Sequence, residues 1–416
     1  MTRTDLVGVA AAVLVAAAAP ASAQSLAERV RAVSGDADFR FASRSGVCGD
    51  GDRMISFRDH FEMRDEWSRE CVPGPVRVRV TVAGHELTRL RTSIGGATGS
   101  GVTDLGTVSD REAVDYLLTL ARTAPEAVAH EAVMPAALAD STTIAPAFLA
   151  LARDHARPLK VRKRALFWAG QVDEPGTLDP VRAIAIDAGE EEAMRTHALF
   201  VLSQFPDATG VPALIDATRD DREPWFAKKA AFWLGQTDDA RASAALRDLV
   251  VRAGTSDEVR GEAVFVLGQH ESRPEDIAFL RDHFASLPER LQDRALMGIA
   301  QHGGTDGARW LRALITNESG ALHVRKQALF WAGQGEGEGA LSTTDIAALY
   351  GALREPEMKK QAIFVLSQRD DSAATTKLMD IARSDPDHDM RKRAMFWLGQ
   401  KHDPRVSEFL GSILEK

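Results

Sequence analysis

Eight copies of one phrase set lysine, phenylalanine and glutamine at four-residue intervals along the chain. The first full copy reads KRALFWAGQ and the last KRAMFWLGQ. Glutamine closes the phrase at Gln171, Gln204, Gln236, Gln269, Gln301, Gln334, Gln368 and Gln400. Phenylalanine stands four residues earlier, at Phe167, Phe200, Phe232, Phe265, Phe330, Phe364 and Phe396, with Met297 in the fifth copy. Lysine stands eight residues earlier, at Lys163, Lys228, Lys326, Lys360 and Lys392. This chemistry is recognition. A primary amide both donates to a carbonyl and accepts from an N–H, so a row of glutamines suits an extended main chain of any sequence. A strip of exposed rings marks a contact surface, and lysines along one edge are expected to favour acidic segments. No HExxH, GxSxG or P-loop occurs, nor a cysteine nucleophile with a partner.

The glutamines recur every 32 to 34 residues, with a degenerate earlier copy ending at Leu138. On a helical wheel the residues ten, six and two before each glutamine share one arc, which is the predicted core stripe. Phenylalanine falls almost opposite it, flanked by lysine and glutamine. Trp168, Trp233, Trp331 and Trp397, three before glutamine, are assigned to the core edge. The basic residue nine before it (Arg162, Arg195, Arg260, Arg325, Lys359, Arg391) lies at the other margin and reads as structural. Shorter amphipathic stretches, such as residues 145–154, 211–219, 276–284 and 345–354, precede the phrase. A two-helix unit of about 33 residues cannot bury its own apolar stripe, so the units must stack. The order Trp, Val, Trp (Trp168, Val201, Trp233) returns as Trp331, Val365, Trp397, which predicts a duplicated five-repeat block with Gly298 at the joint. Residues 406–415 suit a C-terminal capping helix.

The phrase resembles the HEAT-repeat family, particularly the short bacterial type grouped with phycobilisome-lyase-like repeats. The resemblance rests on an apolar residue and Arg ahead of Ala, as in Val161-Arg162 with Ala165, Val259-Arg260 with Ala263 and Val324-Arg325 with Ala328. It implies that second helices line a concave surface, here floored by rows of Lys, Phe and Gln about 10 Å apart. The arrangement is similar to the peptide clamp of importin-alpha-type armadillo proteins, with Phe and Gln in place of Trp and Asn. Some proteins of this fold, of the deoxyhypusine hydroxylase type, hold iron through several His-Glu pairs on second helices. Here His130-Glu131 occupies such a position. The equivalent pairs are Lys163-Arg164, Thr196-His197, Lys228-Lys229, Gly261-Glu262 and Lys392-Arg393, while His85-Glu86 falls in a hairpin and His270-Glu271 in a loop.

The rest of the 416 residues bounds the setting. A formal charge of −9, from 51 basic and 60 acidic residues, argues against binding to a phosphate backbone. Arg3, the apolar run over 7–20 and Ala21-Ser22-Ala23 form a secretory signal pattern over residues 1–23, and no later stretch suits a membrane span. In the oxidising compartment this implies, Cys48 and Cys71 are expected to bridge. A two-thiol metal site is the rival reading and a poor ligand set. Strands are predicted at 75–82 and 86–93 about an Ala83-Gly84-His85 turn, with weaker candidates at 39–42 and 54–57. The CGDGD run over 48–52 reads as a solvated turn rather than a calcium loop.

The chain is thus predicted to be an all-α, right-handed α-solenoid of about nine HEAT-like helical-hairpin repeats over residues 109–416. A small β-rich domain with one disulfide (24–108) and a signal peptide (1–23) precede it. The expected function is that of a periplasmic or secreted scaffold, not an enzyme. It would hold a protein or extended peptide of the cell envelope on its concave face, with no cofactor, nucleic acid or membrane insertion. The alternatives are a HEAT-type metalloenzyme (hydroxylase- or lyase-like) and a spacer that binds through its N-terminal domain alone.

Overall fold

The computed structural model describes residues 24–52, 55–57, 71–140, 142–220, 222–269, 273–334 and 340–414. The expected signal peptide, Met54 and the pair His270-Glu271 lie outside the described residues. The chain forms two compact units that divide between Glu174 and Pro175.

The first unit opens with a short helix α1 (Leu26–Arg31) and the strands β1 (Gly35–Phe41), β2 (Val47–Gly49), β3 (Ile55–Phe57), β4 (Val72–Pro73), β5 (Val76–Ala83), β6 (Glu86–Ile94) and β7 (Thr103–Thr107). The larger sheet has the order β6-β5-β1-β7 and the smaller one β3-β2-β4. β5 and β6 form the predicted hairpin. Gly84 and His85, at φ 60° and 70°, supply the two left-handed residues that a tight two-residue turn between twisted strands requires. Val76, Val78, Val80 and Val82 alternate inward and are buried. Asp38, fully buried on β1, is held by Arg77 at 3.3 Å and Arg79 at 2.8 Å, which compensates its charge. Cys48 on β2 is bonded to Cys71, with Cα atoms 5.2 Å apart, as expected. Ser109 caps the change from strand to helix by accepting from the Glu112 N–H. Two helical hairpins follow, α2 (Asp110–Thr123) with α3 (Glu126–Ala137) and α4 (Ala145–Ala152) with α5 (Leu159–Gln171).

The second unit contains seven more hairpins. They are α6 (Leu178–Ile186) with α7 (Glu192–Ser203), α8 (Val211–Ala217) with α9 (Pro224–Gly235), and α10 (Ala240–Val251) with α11 (Asp257–Leu267). Next come α12 (Pro274–His283) with α13 (Glu289–His302) and α14 (Gly304–Thr316) with α15 (Leu322–Gln334). The last are α16 (Thr343–Ala352) with α17 (Pro356–Ser367) and α18 (Ser372–Ser384) with α19 (His388–Leu398), closed by α20 (Pro404–Leu414). The described residues therefore hold the nine predicted repeats. The second helices α7, α9, α11, α13, α15, α17 and α19 each pack on the next, so this unit is a stack with a continuous second-helix layer.

The core follows the wheel. The alanine six before each glutamine, from Ala165 to Ala394, has no exposed surface in all eight copies. The repeated arginine joins the repeats. Arg162, Arg195 and Arg325 are buried, and each Nε donates to the carbonyl ten residues earlier (Ala152, Ala185, Ile315) at 2.9, 3.1 and 3.0 Å. The guanidinium then reaches the glutamate that starts the next repeat's second helix, Glu223 for Arg195 and Glu355 for Arg325. One side chain thus serves an orphan helix-end carbonyl and an ion pair between repeats. At the predicted joint, a Cβ on Gly298 would lie 2.6 Å from the Gly268 Cα, so α11 and α13 approach closely only because residue 298 is not Trp or Val.

Candidate binding face of the second helices

The seven phenylalanines all keep surface outside the core. Six are half-buried and Phe396 is 60% exposed. Gln204, Gln236, Gln269, Gln334, Gln368 and Gln400 are exposed, and Gln171 is half-buried. Gln204, Gln236 and Gln368 are helix C-caps, so the amides lie at the end of the layer where each second helix stops. Among the described residues, the row's recorded side-chain bonds are short-range. Gln204 Nε2 and Gln368 Nε2 each donate to the preceding serine hydroxyl at 3.2 Å.

The rings are linked from repeat to repeat. Phe200 lies 4.9 Å from Trp233 of the next second helix, and Trp233 also touches Phe232 at 5.0 Å. In the second half of the unit, Phe330 stacks on Phe364 at 6.4 Å with planes 15° apart. Phe364 meets Trp397 at 5.5 Å, and Trp397 meets Phe396 at 5.2 Å. Tilted and edge-on pairs of this kind contribute about 0.5–1.5 kcal/mol beyond area burial. They also hold the rings in fixed orientations, so a ligand would not have to order them. Trp331 differs. The preceding repeat offers Met297 instead of Phe, and the indole N–H donates at 2.7 Å to Asp293, where five of the other repeats carry lysine.

Two expectations require correction. The tryptophans are not uniformly core-edge residues: Trp168 is buried, but Trp233, Trp331 and Trp397 are half-buried and belong to the aromatic surface. A wheel drawn for one helix places them beside its own core and does not see the ring on the neighbouring helix. The lysines do not form an uncompensated basic edge. Lys228 lies 3.4 Å from Glu258, Lys326 lies 4.0 Å from Glu357 and Lys360 lies 2.7 Å from Glu357. Glu258 and Glu357 stand in the first turn of second helices, where the helix dipole favours acids. The expected preference for acidic segments therefore loses its basis. Lys163 is half-buried and Lys392 exposed.

Stacked helical hairpins with a buried arginine at three of the junctions define a class, and residues 211–291 match the family model for HEAT repeats. The fold is of the HEAT-repeat type. Among curated proteins, it is 26% identical to deoxyhypusine hydroxylase-B of Oryza sativa subsp. japonica over 230 residues, 49% of this chain and 74% of the relative. Among solved structures, human deoxyhypusine hydroxylase in complex with glycerol aligns at 21% identity over 61% of this chain and 94% of its own, with a TM-score of 0.28. The complex of CpcE and CpcF of phycocyanin lyase from Nostoc sp. PCC7120 aligns at 19% identity over 62% and 95%, with a TM-score of 0.27.

The similarity to an enzyme across 49% of the chain overturns the expectation that the protein is not one. The pairs of residues that would hold iron in that type do not carry over, however. His130 Nδ1 and Glu131 Oε1 are 3.0 Å apart on α3, but the matching positions on α5, α9 and α19 hold only lysine and arginine. Cations at those positions repel a metal, so the residues present do not fit an ion held by His-Glu pairs.

Proposed function

We propose that the second-helix layer of the HEAT array binds an extended polypeptide, its rings contacting the side chains and its glutamine amides the main chain. The observation that carries this reading is the combination at α17. Phe364 is held between Phe330 and Trp397 yet keeps exposed surface, and Gln368 stands exposed one turn further on. The same pair of types recurs on the neighbouring helices at a spacing of about 8–10 Å, or roughly three residues of an extended chain. Seven second helices in the second unit would accommodate on the order of 15 residues. Binding of this kind is compatible with scaffolding and with chemistry on the bound chain. The Cys48–Cys71 bond supports a location in an oxidising, exported compartment.

The test is a variant with Phe200, Phe232 and Phe265 all replaced by Ser, assayed against a library of 15-residue peptides. Because these rings are half-buried, the variant is expected to stay folded by circular dichroism and to lose peptide binding. Unfolding of the variant, or unchanged binding in a folded one, contradicts the proposal.

A further inference from the structure

Within the first unit, a cavity of about 680 Å³ opens between the edge strand β6 and the second helices α3 and α5. This is within the size range of small-molecule sites. Its aromatic walls are Phe57, Phe167 and Trp168. The Phe57 ring lies 6.1 Å from that of Trp168, and the Phe167 ring lies 5.5 Å from it. Four basic residues line it, Arg89, Arg91, Lys160 and Arg164, against two acidic ones, Asp52 and Glu131. Glu131 is already engaged by His130 at 3.0 Å. The cavity is therefore cationic and flat-walled.

Trp168 is 5% exposed, and its Nε1 has no hydrogen-bond partner among the described residues. The same holds for Arg164 Nε and Thr92 Oγ1, and all three residues line this cavity. Each of these atoms has almost no accessible surface, so it lies behind the cavity wall and does not face the opening. The lining charges, four basic residues against two acidic ones of which one is paired, make an anion the complementary group. The Arg164 guanidinium carbon sits 5.8 Å from the Trp168 ring centroid, which brings the cation and the indole together.

We propose that this cavity binds a small organic anion, a carboxylate or phosphate ester on a flat apolar body. Arg164 pairs with its oxygens, Phe57 and Phe167 flank its body, and Lys160 adds charge at the rim. Burial pushes the Arg164 pKa down, with Glu131 pulling it back up. A guanidinium stays protonated under these conditions, so it is a desolvated cation with room for a further counter-charge. Phe167 also belongs to the ring row, but Phe200, Phe232 and Phe265 lie in the other unit, so different side chains test the two readings.

The experiment is calorimetric titration of the full chain with benzoate, 1-naphthoate and phenyl phosphate, with benzyl alcohol and benzylammonium as neutral and cationic controls. At least one anion is expected to bind saturably at one site and neither control to bind. Arg164→Gln should weaken binding roughly tenfold, the effect of losing a charged hydrogen bond. Should that variant fold poorly, Lys160→Gln at the exposed rim is expected to weaken binding about threefold with the fold intact. The Phe200, Phe232 and Phe265 variant should bind the anion normally. The proposal is overturned if no anion binds up to about 10 mM, if benzylammonium binds as well as benzoate, or if both charge variants bind like the parent.

Discussion

Val365 of α17 packs its Cγ1 methyl onto the backbone of Gly333 on α15, so closely that a Cβ at 333 would lie 2.1 Å from it. Gly235 and Val266 show the same relationship three repeats earlier, at 1.8 Å. The alternation of Trp and Val read from the sequence thus has a physical cause. A repeat that ends in Trp-x-Gly leaves a gap over its glycine, and the valine of the next repeat fills it.

Gly333→Ala is accordingly expected to destabilise the second unit by about 1–3 kcal/mol, the usual cost of overpacking a well-filled contact. Adding Val365→Ala should restore part of that loss, because the two changes share one space. Urea unfolding of the four proteins of this cycle measures it. A neutral Gly333→Ala would show that the helices can separate freely at this point.

Arg325 is the residue whose loss should cost most for its position. Its Nε satisfies the Ile315 carbonyl, and its guanidinium is paired with Glu355. Arg325→Met leaves both partners unmet. About 2–3 kcal/mol is expected, less than for a fully buried pair because Glu355 is partly exposed. Lys326→Gln on the next residue removes only a surface pair and should change stability by less than about 1 kcal/mol. Equal effects in a thermal melt of the two variants would contradict the assigned roles.

Both tyrosines of the chain are held protonated beyond their ordinary range. Burial pushes the Tyr116 phenol up to about 12. Tyr350 is shifted in the same direction by burial and by donating to Asp385 Oδ2 at 2.6 Å. With the folded pKa above the unfolded one, the native state retains a proton that the unfolded chain has lost. Stability therefore falls as pH rises from about 10 towards 12. Ultraviolet titration of the folded protein is expected to show no phenolate at pH 10, whereas the chain in guanidinium should be half ionised there. Ionisation of the folded protein with a midpoint near 10 would refute the burial argument.

Much of the array was legible from residue spacing. The period of 32 to 34 residues located every second helix, and the wheel separated the fully buried alanines from the partly exposed phenylalanines. What it missed lies between repeats. The tilted contact of Phe200 with Trp233 and the pairing of Lys228 with Glu258 join residues 33 and 30 positions apart, on different helices. A single-helix periodicity carries no information about which faces meet. The cavity of the first unit was less legible still. Arg164 and Trp168 read as members of a repeat, and nothing in their spacing indicates that β6 lies against α3 and completes a site with Thr92. The short helix α1 and the parallel pairing of β1 with β7 also had no local signal strong enough to read.

The peptide-binding face is tested most directly by changing the ligand's main chain. A 15-residue peptide selected for binding is compared with the same sequence N-methylated at alternate residues, which removes amide donors and leaves the side chains in place. The glutamine row is expected to discriminate at least about tenfold between them, the worth of a few hydrogen bonds. The triple variant Gln204→Ala, Gln236→Ala, Gln269→Ala should lose that discrimination. Equal affinity of the parent protein for the two peptides would contradict the claim that this face holds a polypeptide by its backbone.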